Sequence, residues 1–472
     1  MPSVYDVALL LGAAATASAG TVSIDFQKRS PVHEHYQAVA RSLSGRATPA
    51  GAIELLAANN ITGGGYYADL SIGTPGQKLS FQLDTGSSDT WMNAADTSFC
   101  SDEDAQVKMG FCTAKFDPTK SSTYKSVSKR GFNITYLDTR RILGDYFNDT
   151  VSIDGKTVTN QQLGLALTSV RPTGIMGLGF SNNVAAKVKY PTIIDNMVSQ
   201  GVIEHPSFSL YLNDVDARNG TILFGGIDKA KYTGKLATLP MTTTPQAQST
   251  NITSYAVSLK SLSATSLSLP SVEDMSVAIF DSGSTVTLVP DAFATSLQTK
   301  FGVVSLEYGS TSTPPLIDCA YGGDKGKDTT IDFQFDGVTV KVPMKEMVVN
   351  VFPKEIQDQL PSQLQSWQGV CLFGLASTKT YGVKSNKFFL LGDTFLRSSY
   401  VVYDMLNKQI GLAQSQPNAT KSDVVAIAKD AKTLPDATGT ADKSPSSPAG
   451  HVTPSFVAAT ILMAVAVMFS SI

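Results

Sequence analysis

The sequence is poor in charged residues, in cysteine and in histidine, and each shortage excludes a class of function. Charged residues make up 16% of the 472 residues and the formal net charge is −3, so no basic surface for nucleic acid is expected. The four cysteines and four histidines show no Cys-x-x-Cys or His-x-x-x-His spacing, so we expect no metal site and no cofactor. An apolar share of 42% nevertheless indicates a globular protein, and the length allows two domains plus processing segments.

Long apolar runs are also missing, but short ones occur at both ends. Residues 7–15 are apolar and precede Ala17-Ser18-Ala19, which predicts a signal peptide over 1–19. The apolar stretch 456–469 is short for a membrane-spanning helix and follows a small, polar segment. This order is typical of a GPI-anchor signal, predicted over 451–472 and removed from the mature protein. A plain tail anchor or an amphipathic end helix is the alternative.

The cysteines and the glycosylation signals fit an exported protein. We interpret the cysteines as two disulfides formed in an oxidising compartment, with free buried thiols as the alternative. Candidate glycosylation sites are the Asn-x-Thr sequons that begin at Asn60, Asn133, Asn148, Asn219, Asn251 and Asn418. With the terminal signals, these features predict a secreted protein held at the cell surface or cell wall through a GPI lipid.

Two short acidic motifs in nearly the same setting are the most informative feature of the sequence. In each, an apolar strand runs into Asp, then a small hydroxyl residue, Gly and more hydroxyl residues, at Asp84 and again at Asp281. The repeat suggests two carboxylates brought together by pseudo-twofold symmetry. Such a pair shares one proton, because like charges a few ångströms apart do not both ionise easily. It supplies an acid and a base, which is the chemistry of water-mediated peptide hydrolysis.

From residue 66 to residue 413 the pattern predicts an all-β protein with two related lobes. Strand-like runs recur at 67–72, 207–212, 221–224, 255–259 and 399–403, and the clearest helical windows are 192–200 and 291–300. An apolar-apolar-Gly element follows each acidic motif in matched order, ending at Gly177 and at Gly392. We place the two lobes at 61–240 and 241–415.

These motifs resemble those of the pepsin-like aspartic proteases, most closely the fungal secreted and GPI-anchored kinds typified by yapsins and candidapepsins. The resemblance covers roughly residues 66–413 and is carried by four segments, 84–91, 281–285, 224–228 and 391–396. It implies a bilobal all-β fold of two β-barrel-like lobes, with a catalytic cleft between them and a β-hairpin flap above it. It also implies two disulfide pairs, Cys100–Cys112 and Cys319–Cys371.

By the same resemblance, Asp84 and Asp281 form the catalytic dyad of a monomeric aspartic endopeptidase that acts on polypeptides at acid pH. The residues that directly follow the two aspartates are expected to support them, namely Thr85, Gly86, Ser87, Ser282, Gly283 and Ser284. The first hydroxyl residue of each motif would hold the two loops together, and the glycines would permit close backbone approach. The serines after them match positions that hydrogen-bond the outer carboxylate oxygens.

The flap departs from the family pattern. Its usual Tyr-Gly-Asp-Gly is matched here by Tyr136-Leu137-Asp138-Thr139, with two arginines following. Leu137 and Thr139 carry Cβ atoms where a tight hairpin tip favours positive φ, so a wider or stiffer tip is expected. Tyr136 is expected to face the substrate, with a half-buried strand tyrosine as the alternative. Asp138 matches an acid that lets several fungal relatives accept Lys before the scissile bond, unless a neighbouring arginine pairs with it.

The segments that flank the lobes are interpreted from composition. Residues 20–60 contain Lys28-Arg29 and Arg46 as candidate processing sites. They predict a propeptide whose cations neutralise the catalytic carboxylates until it is removed. A solvated surface arm is the alternative. Residues 416–450, rich in Ser, Thr, Pro and Ala, predict a disordered stalk.

A different class of function is kept open by the altered flap. The protein could be a catalytically impaired pepsin-like relative that acts as a cell-wall binding or adhesion protein. A purely structural wall glycoprotein is a third hypothesis, and it predicts no activity at any pH.

Overall fold

The computed structural model shows a single protein chain in two units, Met1–Thr440 and Ala441–Ile472. The residues it describes are 20–29, 65–102, 112, 115–137, 139–217, 219–244, 250–308, 311–350 and 364–441. All elements below lie in the first unit.

Most regular structure in the described residues is β-strand, as the alternating patterns predict. The strands of the first half are β1 Val22–Arg29, β2 Gly65–Ile72, β3 Gln77–Asp84, β4 Trp91–Ala94, β5 Lys115–Phe116, β6 Lys125–Thr135, β7 Arg141–Ile153, β8 Lys156–Thr168, β9 Gly174–Gly177, β10 Ser207–Tyr211, β11 Asn219–Phe224, β12 Gly226–Asp228 and β13 Tyr232–Pro240. The strands of the second half are β14 Ala256–Ser258, β15 Ser261–Ala264, β16 Val277–Phe280, β17 Thr287–Val289, β18 Glu307–Tyr308, β19 Thr311–Ser312, β20 Leu316–Asp318, β21 Thr330–Phe335, β22 Val338–Pro343, β23 Val348–Val349, β24 Val370–Phe373, β25 Leu375–Ser377, β26 Phe388–Leu391, β27 Ser399–Asp404, β28 Gln409–Ser415 and β29 Val424–Ala426.

Helices within the described ranges are few and short. The α-helices are α1 Ser98–Ser101, α2 Ile193–Ser199, α3 Asp291–Phe301 and α4 Asp393–Leu396. Both predicted helical windows are confirmed by α2 and α3. A capping box between Thr192 and Asp195 starts α2, and Gly302, at φ 65°, ends α3 in the left-handed conformation.

The fold is all-β and bilobal, as predicted. A large sheet runs in the order β13-β28-β27-β10-β11-β1-β2-β3-β9-β4-β8-β7-β6, with β5 beside β4. It joins the halves of the chain through the antiparallel pair β10–β27. The second lobe has its own five-stranded sheet, β14-β16-β26-β17-β25, and two three-stranded sheets.

The predicted duplication is visible as two matching three-strand units. In the first lobe, β3 runs parallel to β9, which is antiparallel to β4. In the second lobe, β16 runs parallel to β26, which is antiparallel to β17. Gly177 at the end of β9 and Gly392 just after β26 contact the loops that follow the two aspartates. A Cβ on Gly177 would lie 2.5 Å from the Ser88 backbone. A Cβ on Gly392 would lie 2.4 Å from the Ser284 carbonyl oxygen. Each acidic motif therefore packs tightly against its apolar-apolar-Gly strand.

An aromatic cluster at the junction of the lobes makes their cores continuous. The rings of Phe208 and Tyr403 stack with centroids 4.4 Å apart, and Tyr255 meets Tyr403 edge to face at 4.7 Å. The buried Tyr255 hydroxyl donates a hydrogen bond of 2.6 Å to the Leu178 carbonyl of the first lobe. The buried apolar residues of the two lobes therefore form one continuous cluster at this junction.

The strand β1, Val22–Arg29, lies in the middle of the large sheet. It pairs with β11 on one side and β2 on the other, and Lys28 and Arg29 pair with Tyr66 and Gly65. The predicted dibasic processing site therefore lies in paired backbone. The rest of the predicted propeptide, 30–60, lies outside the described residues, as does the signal peptide 1–19, so both stay predictions.

The segment 416–441 differs from the stalk expected from its composition. Its strand β29 pairs with β12, and Ile427 and Leu434 are buried. The Ile427 N–H donates to the Gly225 carbonyl, and the Asn407 side chain donates to the Ala431 carbonyl. The interpretation as disordered chain is wrong for this part, because two apolar residues and paired backbone fix it to the body. Residues 442–472, including the predicted anchor signal, lie outside the described residues.

Candidate active site

Asp84 and Asp281 lie at the carboxyl ends of corresponding strands and face each other. The proximity is shown by the glycines after them, where the chain leaves no room for a side chain. A Cβ on Gly86 would lie 2.6 Å from Oδ1 of Asp281, and one on Gly283 would lie 2.3 Å from Oδ1 of Asp84. Each loop backbone therefore touches the opposite carboxylate, and the structure brings together the pair that the sequence predicted.

The two loops are held by a symmetric set of buried hydrogen bonds across the lobes. Thr85 Oγ1 donates to the Phe280 carbonyl at 2.8 Å and accepts from the Ser282 N–H at 3.0 Å. Ser282 Oγ donates to the Leu83 carbonyl at 3.0 Å and accepts from the Thr85 N–H at 3.2 Å. Buried hydrogen bonds that are all satisfied fix geometry well, which supports the role expected for Thr85 and Ser282.

Each carboxylate also accepts two hydrogen bonds from its own loop. Asp84 Oδ1 accepts from the Gly86 N–H at 2.8 Å, and its Oδ2 accepts from Ser87 Oγ at 2.5 Å. Asp281 Oδ1 accepts from the Gly283 N–H at 2.9 Å, and its Oδ2 accepts from Ser284 Oγ at 2.8 Å. The matched contacts relate the two aspartates by an approximate twofold axis within one polar site.

The electrostatics favour a single proton on the pair. Burial, and next the adjacent Asp84 carboxylate, raise the pKa of Asp281 from 3.8 to about 7. The hydrogen bonds from Ser284 and Gly283 act in the opposite direction. The pair behaves as one coupled unit, with a proton retained on the Asp281 side in acid, and it can act as acid and base together.

Comparison with known proteins agrees with this geometry. The family model described as eukaryotic aspartyl protease matches residues 65–415. The chain is 32% identical over 380 residues to the Arthroderma benhamiae protein named "Probable aspartic-type endopeptidase OPSB", covering 79% of this chain and 73% of that relative. It is 33% identical over 358 residues to an acid protease of Saccharomycopsis fibuligera, covering 74% and 81%. It is 31% identical over 365 residues to secreted aspartic protease 6 of Candida albicans, covering 77% and 78%.

This chain belongs to the eukaryotic aspartyl protease family. The resemblance drawn from the acidic motifs is confirmed, and the protein is an aspartic-type endopeptidase by family. The segment 416–441, which packs on the body, lies beyond the stretch that the family model matches.

The β6–β7 hairpin forms the flap, and Tyr136 is its first loop residue. The Trp91 indole N–H donates a 2.7 Å hydrogen bond to the Tyr136 hydroxyl oxygen. Burial, and then the Asp84 carboxylate, raise the pKa of Tyr136 well above its usual value. The hydroxyl therefore keeps its proton and can donate it as a hydrogen bond into the cleft, which Tyr136 lines. Trp91 is the last residue of the motif that begins at Asp84, but nothing in the sequence predicts its hydrogen bond to Tyr136.

The flap tip is tight in spite of its missing glycines. The Thr139 N–H donates to the Tyr136 carbonyl at 2.9 Å, and the Tyr136 N–H donates to the Arg140 carbonyl at 3.0 Å. The expectation of a wider tip is wrong, because these two bonds close it. Thr139 instead takes φ 66°, a left-handed conformation that costs a β-branched residue about 1–2 kcal/mol.

The two arginines of the flap have different surroundings. Arg140 lines the cleft, whereas the Arg141 guanidinium donates through Nε to Asn133 Oδ1 at 2.8 Å. Asp138 lies outside the described residues, so its proposed pairing with substrate lysine stays a prediction. Arg171, which the motifs did not single out, also lines the cleft, with its guanidinium 4.7 Å from the centre of the Tyr136 ring.

Gln82 is a second cleft residue that the motif analysis missed. It lies two residues before Asp84 on β3, so strand alternation places it on the same face. Its amide Nε2 donates to the Gly283 carbonyl at 3.3 Å, across the dyad. The period-two rule, applied backwards from the aspartate, would have found it.

The disulfides and the glycosylation candidates complete the predicted sites. Both disulfides are confirmed, Cys100–Cys112 with an S–S distance of 1.96 Å and Cys319–Cys371 with 2.01 Å. Four of the sequon asparagines are exposed, namely Asn133, Asn219, Asn251 and Asn418, and Asn148 is half-buried. Asn60 lies outside the described residues. Glycosylation stays a prediction at all six.

Proposed function

We propose that this protein hydrolyses internal peptide bonds of polypeptides at acid pH, with a water molecule activated between Asp84 and Asp281. The observation that carries the proposal is the buried, symmetric carboxylate pair with the raised pKa of Asp281. A pair with one proton needs no other catalytic group to begin the reaction.

The steps follow from that protonation state. The ionised carboxylate takes a proton from the water as its oxygen attacks the peptide carbonyl carbon, while the protonated partner donates to the carbonyl oxygen. The product is a tetrahedral diol, and the dyad again holds one proton. That proton passes to the amide nitrogen as the C–N bond breaks, and a diol hydroxyl returns its proton to the pair. Tyr136 can donate a hydrogen bond from the flap, which orients the carbonyl being attacked.

A digestion experiment tests this function. The purified mature protein should cleave a denatured protein at acid pH, and pepstatin, a mimic of the tetrahedral diol, should block cleavage. Asp281→Asn should be inactive because it removes the shared proton's partner with little change of shape. Asp291→Asn, an exposed aspartate on α3, is the matched control and should keep full activity. Activity that survives in Asp281→Asn would contradict the dyad. Absence of activity at every pH would contradict the endopeptidase function and would favour a binding, adhesion or structural role in the cell wall.

For location, we propose secretion as a monomer followed by GPI attachment at the cell surface or wall. Two of the relatives carry the name secreted aspartic protease, and the apolar ends of this sequence supply the two signals. Among the residues that the structure describes, no helix is both long and apolar enough to cross a bilayer. Terminal sequencing of the mature protein, with release from cells by phosphatidylinositol-specific phospholipase C, tests the proposal. Retention on the cell after lipase treatment would count against the GPI lipid.

A further inference from the structure

One buried carboxylate near the dyad takes no part in the proposed reaction. Asp89 follows Asp84 in the same acidic motif and is fully buried. Its Oδ1 accepts hydrogen bonds from the hydroxyls of Tyr146 and Tyr190, each at 2.7 Å. Its Oδ2 accepts from the Ala185 N–H at 2.6 Å. All three partners are donors, and a carboxylate can serve them together because both of its oxygens only accept.

These hydrogen bonds connect Asp89 to the flap. Tyr146 belongs to β7, the second strand of the flap hairpin. Its ring meets the ring of Phe132, on the first strand β6, edge to face with centroids 5.3 Å apart. It also meets the Tyr190 ring edge to face at 5.7 Å. Asp89 therefore holds one strand of the hairpin through the Tyr146 hydroxyl and supports the other through the Phe132 ring.

The segment that carries Asp89 also holds the flap tyrosine. Trp91 lies two residues further on, and its indole N–H donates to the Tyr136 hydroxyl oxygen at 2.7 Å. The Trp91 and Phe132 rings lie 6.1 Å apart, and Tyr136 packs against the buried cluster that contains them both. A Cβ on Gly177 would lie 2.7 Å from the Asp89 backbone, so this segment has no room to move toward β9. One tightly packed segment therefore joins the dyad loop to the flap.

We propose that Asp89 is a positioning residue for catalysis. By accepting from Tyr146, its carboxylate fixes the flap hairpin so that the Tyr136 hydroxyl stays beside Trp91 and Tyr136 lines the cleft. This inference rests on the proposed endopeptidase function, in which the Tyr136 hydroxyl orients the carbonyl that is attacked. A small displacement of an orienting group lowers the rate strongly, so activity should depend on the carboxylate of Asp89.

Asp89→Asn tests the proposal with little change of shape. Asparagine has one acceptor oxygen and a donating amide group, so the three donors no longer all have an acceptor. For a peptide that the unaltered protein cleaves, kcat/KM should fall roughly tenfold. Tyr146→Phe removes the flap donor alone and should lower kcat/KM roughly fivefold. Tyr211→Phe, on β10, is the matched control: it removes the bond of another buried tyrosine hydroxyl, to the Gln416 carbonyl, and should leave kcat/KM unchanged.

Tryptophan fluorescence distinguishes positioning of the flap from a general loss of structure. The sequence contains two tryptophans, Trp91 and Trp367. In a Trp367→Phe background the emission therefore reports Trp91 and its hydrogen bond to Tyr136. Tyr136→Phe in that background removes the bond and supplies the reference emission of Trp91 without it. The spectra are recorded with Asp281→Asn also present, because the inactive protein does not digest itself.

The expected spectra follow from the proposal. Asp89→Asn and Tyr146→Phe should shift the emission toward that of the Tyr136→Phe reference, and Tyr211→Phe should not. If Asp89→Asn fails to fold, Tyr146→Phe supplies the same two measurements. A shift in emission together with a fall in kcat/KM would support the positioning role.

Four results would overturn the inference. These are an unchanged kcat/KM in both Asp89→Asn and Tyr146→Phe, an equal fall in Tyr146→Phe and Tyr211→Phe, and a fall in kcat/KM without any shift in emission. The fourth is an emission that Tyr136→Phe leaves unchanged, which would mean that Trp91 does not hold the flap. Failure of the unaltered protein to cleave any peptide would instead contradict the endopeptidase function, and the spectra distinguish the two failures because they require no activity.

Discussion

Replacing Asp281 with Asn should remove a pH dependence that the dyad imposes on folding. Burial and the Asp84 carboxylate raise the pKa of Asp281 from 3.8 to about 7 in the folded protein. The carboxyl therefore binds its proton more tightly in the folded chain than in the unfolded chain. Between those two values the unfolded state ionises and the folded state does not, so folding becomes less favourable as the pH rises. Asparagine has nearly the same shape and no proton to lose.

The size of the effect follows from the shift. Each unit of pKa corresponds to about 1.4 kcal/mol, so a shift of about three units lowers the free energy of unfolding of wild type by about 4 kcal/mol between pH 4 and pH 7. Below about pH 4 the carboxyl is protonated in both states, and above about pH 7 it is ionised in both, so the difference is constant outside the window. Relative to wild type, Asp281→Asn should gain stability across this window alone.

Urea unfolding at half-unit steps from pH 3.5 to pH 7.5 measures the difference. Asp84→Asn is a useful reference, because it should also be inactive and therefore free of self-digestion, while it keeps the Asp281 carboxyl. It should retain a pH dependence, since burial is the larger cause of the shift. A difference between wild type and Asp281→Asn that stays the same at every pH would refute the reasoning, as would a difference of opposite sign.

Three further changes test other parts of the structure. Ser284→Ala removes the 2.8 Å hydrogen bond that lowers the pKa of Asp281, so the alkaline limb of the kcat/KM profile should move to higher pH; a move to lower pH would contradict this. Thr139→Gly relieves the backbone strain that a positive φ imposes on threonine at the flap tip. It should raise the free energy of unfolding by up to about 1 kcal/mol, measured in the inactive Asp281→Asn background. A loss of stability would argue against strain at this position. Leu434→Ala opens a cavity under the C-terminal segment and should lower the free energy of unfolding by about 2–5 kcal/mol. The control Val424→Ala, at an exposed position on β29, should lower it by less than about 0.5 kcal/mol. Equal losses of stability would mean that the segment is not packed.

The dyad could be predicted from sequence because both halves of it are local. Asp84 and Asp281 each end an apolar strand, and each strand pairs in parallel with an apolar-apolar-Gly strand that follows it. Because the same pattern occurs twice, the sequence predicted two lobes related by a pseudo-twofold axis. That axis brings the two carboxylates together. The cross-lobe hydrogen bonds of Thr85 and Ser282 then follow from the same axis.

Other features depend on long-range contacts that carry no local signal. The residues next to Arg171 in the sequence do not predict that its side chain contacts the Tyr136 ring. The segment 416–441 has the composition of a linker, and its attachment comes from Ile427 and Leu434 at buried sites. Thr139 shows a different limit. It adopts a conformation that its residue type disfavours, because the hairpin on both sides determines the turn.

The pH profile of kcat/KM for one neutral peptide, recorded side by side for wild type and Asp281→Asn, tests the proton-sharing dyad most directly. We predict that wild type is active in acid, that its activity falls as the pH passes about 7, where Asp281 loses its proton, and that Asp281→Asn is inactive throughout. Activity in wild type that rises into the alkaline range, or a profile that survives in Asp281→Asn, would contradict it.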